Sequence, residues 1–207
     1  MLDVSHELRS PLTRVKVALE FLPDGRAKDS IAGDVAEMEK MINEILETAR
    51  RHHLHGDLKL QPTDLVGLLE AILPDFQKQP PGVQVDELPE TLLINIDLGQ
   101  IKTVFNNIIA NGIKFSDADS DPVRISAKPQ PRQTVVQITD YGIGIPEEEL
   151  SFVFEPFYRV DKSRSKDTGG YGLGLSLCKT IMEAHNGKIE ITSKPGEGTT
   201  VSLYFPE

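Results

Sequence analysis

Asn106-Asn107-Ile108-Ile109-Ala110-Asn111-Gly112-Ile113-Lys114-Phe115-Ser116 is the stretch on which the fold turns. Laid on a helical period, Asn107, Asn111 and Lys114 fall at i, i+4 and i+7 within a narrow angular range. Ile101, Val104, Phe105, Ile108 and Ile109 take the other faces. Asparagine is a poor residue for a helix interior, so two on one stripe beside a lysine ask for a reason. An Asn carbonyl is a hard oxygen ligand for Mg²⁺, and an ammonium one turn on can meet phosphates that the ion bridges. Taken alone, the stripe reads first as a solvated helix face.

Outward from this helix the chain reads as short strands and helices. Strands are predicted at Leu58 to Pro62, Val83 to Asp86 and Leu92 to Ile96, the last two around a turn. Asp64 caps a helix through Leu73, disturbed by Pro74, and Asp97 caps the central helix, which runs to about Phe115. Strands follow at Val123 to Ala127 and Thr134 to Asp140, then a loop-rich region to Gly170. A helix from Leu173 to His185 and a hairpin, Lys188 to Ser193 with Thr199 to Phe205, end the chain. That order predicts an α+β sandwich with helices on one sheet face.

Two glycine strings carry further chemistry. In Asp140-Tyr141-Gly142-Ile143-Gly144-Ile145 the spaced glycines let backbone pass close to a flat ligand, and the strand-end carboxylate can accept from an exocyclic amine such as that of adenine. Gly169-Gly170-Tyr171-Gly172-Leu173-Gly174-Leu175 opens a helix, where N–H groups and the macrodipole favour an anion such as triphosphate. A tight turn is the plain alternative for the first string, and neither is decisive by itself. Between them, Tyr158 to Thr168 is polar and carries Arg159, Lys162, Arg164 and Lys166. It reads as a mobile lid supplying a cation to phosphate, or as a solvated loop.

Upstream the pattern is purely helical. Leu8, Leu12, Val15, Leu19 and Leu22 form one stripe at spacings of four and three, and His6 lies almost opposite it, with Ser10 and Thr13 on its side and Glu7 adjacent. Pro11 removes a helix N–H and is expected to bend the helix one turn beyond His6. Pro23-Asp24-Gly25 is turn chemistry, and a second helix is expected from about Asp29 to His52 with Ile31, Val35, Met38, Ile42, Ile45 and Ala49 as its stripe. One such hairpin leaves its seam half covered, so a homodimeric four-helix bundle is predicted; packing of the stripe on the second domain is the alternative. Residues 50–57, with His52, His53 and His55, read as a linker whose spacing fits no ordinary chelate beyond weak Zn²⁺ or Ni²⁺ binding. The expected domains are therefore 1–55 and 56–207.

Among 207 residues, 22 Lys plus Arg stand against 32 Asp plus Glu, a formal charge of −10 that argues against a nucleic-acid surface. Cys178 is the single cysteine, placed as a small buried residue of a helix. No apolar run is long enough to cross a bilayer, so no membrane contact by this part is expected. The histidine motif starts within a few residues of Met1, which reads as a fragment cut from a longer protein.

Ser5-His6-Glu7-Leu8-Arg9-Ser10-Pro11-Leu12-Thr13 resembles the H-box of sensor histidine kinases of two-component systems, whose usual form has Thr where Ser10 stands. Asn106 to Ser116 resembles their N-box, Asp140 to Ile145 the first G-box, Phe152 to Arg159 the F-box, Gly169 to Leu177 the second G-box, and Gly196 to Thr200 the last glycine motif. The resemblance implies a dimerisation and phosphoacceptor hairpin followed by the ATP-binding α+β sandwich of the histidine-kinase, gyrase and MutL-type superfamily, the Bergerat fold. It implies that His6 attacks the γ-phosphorus of ATP, that Glu7 orients the ring and takes its proton, and that Ser10 serves a regulator phosphatase step. It further implies Asn111 as principal Mg²⁺ ligand with Asn107 assisting, Lys114 on phosphate, Asp140 on the adenine amine and Thr199 near the base. Gly142, Gly144, Arg159, Gly170, Gly172, Leu173 and Gly174 complete the nucleotide site. The implied partners are a second copy and a response-regulator receiver domain, and the implied setting is the cytoplasmic part of a membrane-anchored sensor. Tyr141 departs from the usual Asn, and Gly112 from the usual Ala. Two other functions compete: an ATP hydrolase or chaperone-like relative, which would carry Glu where Asn107 stands, and a non-catalytic nucleotide-binding dimerisation scaffold.

Overall fold

The computed structural model describes residues 2–36, 38–39, 58–160 and 171–206, with the side chains of residues 2–10 outside that description. The chain divides into two compact units, Met1–Leu54 and His55–Glu207.

In the first unit, helix α1 spans Leu2–Glu20 and runs unbroken through Pro11. It stops two residues short of the predicted end at Leu22, where a turn carries Phe21 N–H to Ala18 O and Leu22 N–H to Leu19 O. Helix α2 begins at residue 26, and residues 26–36 and 38–39 are helical. Its predicted continuation to His52 and the linker at 50–57 lie outside the described residues. Leu12, Leu19 and Val35 form a small buried cluster, and Lys16 Nζ meets Glu39 Oε2 at 2.5 Å. Four other members of the two stripes stay open: Val15, Leu22, Ile31 and Met38 are each about 40–45% exposed, while the side chains of Leu8, Ile42, Ile45 and Ala49 lie outside the described residues. Alternate seam positions are thus filled and unfilled along the same hairpin.

The second unit contains strands β1 (Gln61–Asp64), β2 (Val83–Glu87), β3 (Leu93–Ile96), β4 (Val123–Gln130), β5 (Gln133–Asp140), β6 (Lys188–Lys194) and β7 (Gly198–Pro206). Helices α3 (Leu65–Ile72), α4 (Pro74–Gln77), α5 (Leu98–Lys114) and α6 (Gly174–Ala184) accompany them. A five-stranded sheet runs β2-β4-β5-β7-β6, parallel only between β2 and β4, and β1 pairs with β3 in a separate antiparallel ribbon. The strands expected on either side of one turn, β2 and β3, therefore belong to different sheets. Their pairing is decided by remote partners: Val83 with Val123, and Leu93 with Asp64. Strand β1 lies three residues beyond its predicted start, because the register against Leu93–Ile96 selects Gln61–Asp64 and leaves Leu60 half-exposed outside it.

Asp64 and Asp97 cap as their sequence positions predict. Asp64 Oδ1 accepts from Val66 N–H at 3.1 Å and also from Leu92 N–H at 2.9 Å, so one cap ties α3 to the approach to β3. Asp97 Oδ1 accepts from Gln100 N–H at 3.1 Å. Helix α5 then buries Ile101, Val104, Phe105, Ile108, Ile109, Gly112 and Ile113 against the sheet. Inward residues of the strands, among them Ile125, Val136, Ile138, Val201, Leu203 and Phe205, complete the core with Leu177, Ile181 and Met182 of α6. Each large apolar side chain so buried contributes about 1.5–3 kcal/mol relative to exposure. The opposite sheet face is polar, its neighbouring strands joined by Gln137 Nε2 to Ser202 Oγ, Thr139 Oγ1 to Thr200 Oγ1 and Tyr204 OH to Glu190. Helices on one face of an antiparallel-rich sheet are the predicted sandwich.

Cys178 is fully buried beneath Val104 O, and burial pushes its thiol up to about 12, a packing residue with no reactive thiolate. His185, which the sequence offered only as a helix end, joins two helices. Its Nε2 accepts from Asp97 N–H at 3.0 Å, so Nδ1 carries the proton and donates to Ile181 O at 2.7 Å. The ring pins the C-terminus of α6 to the N-terminus of α5. His185→Ala orphans the part-buried Asp97 N–H and is expected to lower stability by about 2 kcal/mol, read as a lower urea midpoint with unchanged slope.

Candidate functional site

Helix α5 places its polar stripe as the periodicity predicts. Asn107 and Asn111 are half-buried and Lys114 is exposed at the last turn, its Nζ 4.8 Å from the Phe115 ring centre. Asn107 Nδ2 donates to Thr103 O at 2.8 Å, which turns its carbonyl oxygen outward from its own helix. That oxygen faces the first residue of α6: a Cβ on Gly174 would stand 2.8 Å from Asn107 Oδ1. An amide held this way offers oxygen at a helix N-terminus, a donor type that suits a hard cation bridged to phosphate.

Strand β5 delivers Asp140 to the C-terminal end of α5. Its Oδ1 accepts from Gly142 N–H at 3.0 Å and from Thr199 N–H at 3.2 Å. Burial pushes the carboxyl above its ordinary 3.8, and the two backbone N–H groups pull the other way without cancelling it. Oδ2 has no hydrogen bond among the described residues. Asp140 and Thr199 are opposed in register, so they share a sheet face. A polar depression of about 300 Å³ includes Asp140, Ser193 and Thr199 in its lining but no residue of α5.

The first glycine string owes its composition to protein contacts. A Cβ on Gly142 would stand 2.2 Å from Phe115 O, and one on Gly144 would stand 2.1 Å from Lys194 O. Ile143 N–H donates to Phe115 O at 3.0 Å and Gly196 N–H to Ile143 O at 2.9 Å. The loop is laid directly on the end of α5 and on the β6–β7 turn, so the backbone that its glycines approach is the protein's own. Gly198, at φ 104°, closes the other side: a Cβ there would stand 2.0 Å from Asp140 O. Gly112 has the same cause. A Cβ there would lie 3.1 Å from Val123 Cγ2 and 3.4 Å from Asp140 Cβ, so the helix-propensity cost of Gly is set against crowding at the strand.

In the second string, Gly172 O accepts from Phe157 N–H at 3.0 Å, joining the string to the segment that ends in Arg159. Leu173 is buried, with its carbonyl accepting from Leu177 N–H and from Ser176 Oγ, which leaves its N–H as the group of interest to an anion. Arg159 is half-buried. Gly170 and the cations Lys162, Arg164 and Lys166 lie outside the described residues. His6, Glu7 and Ser10 lie in α1 by backbone, and their side chains lie outside the description.

Two features were missed in the sequence. Ser193 Oγ is bonded to three separate groups: Ile145 N–H at 2.8 Å, Gly198 O at 2.8 Å and Thr199 Oγ1 at 2.9 Å. Tyr141, the departure from Asn, lies under the Arg124 guanidinium at 5.5 Å, which also meets Asp86 Oδ2 at 3.6 Å. The first has the signal of a serine ahead of a glycine turn; the second has none.

Residues 96–207 match the family model of histidine kinase-, DNA gyrase B- and HSP90-like ATPases, and residues 1–54 match that of the His Kinase A (phospho-acceptor) domain. The chain belongs to the histidine kinases of that family. It is 34% identical over 216 residues to the sensor histidine kinase YkoH of Bacillus subtilis, across 99% of this chain and 46% of that one. To the sensor protein kinase WalK of Staphylococcus aureus it is 31% identical, across 99% of this chain and 52% of that one. The chain thus spans about half the length of the curated histidine kinases it matches. In fold it resembles full-length ShkA, crystallised in complex with AMPPNP, at TM-score 0.67 and 24% identity over 99% of this chain and 45% of that one. It also resembles the Acinetobacter baumannii histidine kinase AdeS at TM-score 0.64 and 22% identity over 97% of each chain. The five-stranded sheet with its helices fits the Bergerat ATPase fold of these kinases.

Proposed function

We propose that the chain transfers the γ-phosphoryl group of ATP to His6 and passes it to an aspartate of a response-regulator receiver domain. Residues 1–55 serve as the dimerisation and phosphoacceptor hairpin and residues 56–207 bind ATP. The observation that carries this reading is the amide at position 107. A water-activating ATPase needs a base one turn before the magnesium asparagine, and here Asn107 is neutral and bonded to Thr103 O. ATP held without a base for water suits transfer to a nitrogen nucleophile. The ring nitrogen forms the phosphorus–nitrogen bond as the bond to the bridging oxygen breaks, ADP leaves, and the proton of the ring passes to Glu7. In the same reading Ser10 serves a separate step, aligning a water for dephosphorylation of the regulator.

Asp140 reads the adenine amine through Oδ2 with Thr199 beside it. Gly142 and Gly144 set the loop under the base. Gly170, Gly172, Leu173 and Gly174 offer backbone to the triphosphate, with Lys114 and Arg159 as its cations. Asn111 and Asn107 would hold Mg²⁺, which supplies charge neutralisation on the phosphate oxygens when bound. Asn111→Leu removes the oxygen ligand without adding charge and is expected to lower Mg²⁺-dependent nucleotide affinity on the order of tenfold with little effect in chelator, measured by equilibrium titration; wild-type affinity in Mg²⁺ would contradict the ligand assignment.

The open seam positions Val15, Leu22, Ile31 and Met38 support a homodimer, since a second hairpin would cover them. Sedimentation is expected to give a dimer, and a monomer at tens of micromolar would contradict the bundle. No helix among the described residues is long and apolar enough to cross a membrane. A cytoplasmic place beside a membrane-anchored sensor portion is part of the same proposal.

A further inference from the structure

We propose that Ser193 determines the base selectivity of the nucleotide site by fixing which way the Thr199 hydroxyl points its proton. This rests on Asp140 and Thr199 facing the base. Ser193 sits at the end of β6, opposed in register to Thr199 of β7, which is itself opposed to Asp140 of β5. The three residues therefore form one row across three strands on one face of the sheet.

A hydroxyl has one proton and two acceptor lone pairs. Ser193 Oγ stands 2.8 Å from Gly198 O, which has no proton to give, so the Ser193 proton is committed there. Ile145 N–H donates to Ser193 at 2.8 Å and takes one lone pair. The remaining contact, to Thr199 Oγ1 at 2.9 Å, is satisfied only if Thr199 donates. All three positions on Ser193 are then filled, and the only proton on Thr199 Oγ1 is spent. What Thr199 presents to a ligand is lone pairs alone.

Its neighbour in the row has the same polarity. Asp140 Oδ1 is occupied by the N–H groups of Gly142 and Thr199, and Oδ2 is an acceptor. The row is therefore an acceptor-only edge, complementary to a base edge that donates: the 6-amino group of adenine. Bases with a carbonyl at that carbon, guanine and hypoxanthine, put lone pairs against lone pairs. Asp140 alone gives one repulsive contact, and Ser193, by holding the Thr199 proton away, gives the second. Ser193 is a positioning residue that acts through Thr199.

The test is competition of ATP and of inosine triphosphate against a ribose-labelled fluorescent ATP on the whole chain. Inosine triphosphate changes only the 6-substituent and the ring proton that accompanies it. The wild type is expected to prefer ATP. Ser193→Ala frees the Thr199 proton to donate to the 6-carbonyl, so the ATP-to-inosine-triphosphate ratio is expected to narrow by about tenfold, one hydrogen bond's worth of discrimination. Ser193→Thr keeps the hydroxyl and is expected to keep the ratio. Thr199→Val removes the acceptor and narrows the ratio by itself, and in that background Ser193→Ala is expected to add nothing further. An unchanged ratio in Ser193→Ala overturns the proposal. So does an equal effect of Ser193→Ala with and without the Thr199 hydroxyl. If Ser193→Ala does not fold by circular dichroism, Ser193→Cys decides, since a thiol is too weak an acceptor to hold the Thr199 proton, and an unchanged ratio there overturns the proposal too. Failure of the underlying site reading shows elsewhere, as full ATP affinity in Asp140→Asn.

Discussion

Asp140→Asn is expected to weaken ATP binding about a hundredfold while leaving the fold intact. The asymmetry of the carboxylate is the reason. Oδ1 is held by Gly142 N–H and Thr199 N–H, and an amide oxygen can keep both bonds. The other position changes from an acceptor to an NH₂ donor, which turns an attraction toward the 6-amino group into a donor facing a donor. Hydrogen bonds to charged partners contribute about 1.5–3 kcal/mol, so losing one and adding a mismatch accounts for the size of the effect. Equilibrium binding with thermal unfolding as control measures both halves of the expectation.

The acidity of Asp140 adds a pH signature. Burial raises the carboxyl above 3.8 in the folded chain, whereas the unfolded chain keeps the ordinary value. Between the two values the folded state holds more protons, so this group lowers stability above the raised value and the penalty is relieved as pH falls through the window. Nucleotide binding runs in the opposite sense, because the proton removes the acceptor. ATP affinity is expected to decline on acidification at a pH above the carboxyl's ordinary 3.8, and Asp140→Asn is expected to lack that step.

Local chemistry made much of this fold legible. Asp64 and Asp97 stand at the starts of apolar helical stripes, and both cap those helices by side-chain hydrogen bonds. The alternation Val123, Ile125, Ala127 marks the inward face of β4, which continues to Gln130 beyond the predicted end because pairing with Gln133 outlasts the apolar pattern. Pairing between remote segments was not legible. Strands β2 and β3 are neighbours in sequence, yet β2 lies beside β4 and β3 beside β1, choices made by partners rather than by either strand's own residues.

At the candidate site the residue types were readable and their supports were not. Asn107, Asn111, Lys114 and Asp140 announce themselves by chemistry that is unusual for their positions. Ser193 and His185 are ordinary residues whose importance lies in contacts 48 and 88 positions away, to Ile145 and Asp97. The glycines of the Asp140 loop were read as making room for a ligand. Their spacing is set by Phe115 O and Lys194 O, so the string reports how the loop packs as much as what it binds.

Replacement of His6, the proposed phosphoacceptor, has the largest expected effect of all. His6→Gln is expected to abolish incorporation of radiolabelled γ-phosphate while leaving ATP affinity unchanged. Glutamine keeps the polarity and helix propensity of the position and removes the nucleophilic lone pair of a ring nitrogen. The bound label in the wild type is expected to be acid-labile and stable to base, as a phosphorus–nitrogen bond is, and to move to a receiver domain on mixing. The most direct measurement is thus parallel labelling of wild type and His6→Gln with free phosphate followed in the same tubes. Acid-labile label is expected on the wild type alone, with little free phosphate from either. Undiminished ATP consumption by His6→Gln, with all the γ-phosphate released to water, would contradict it.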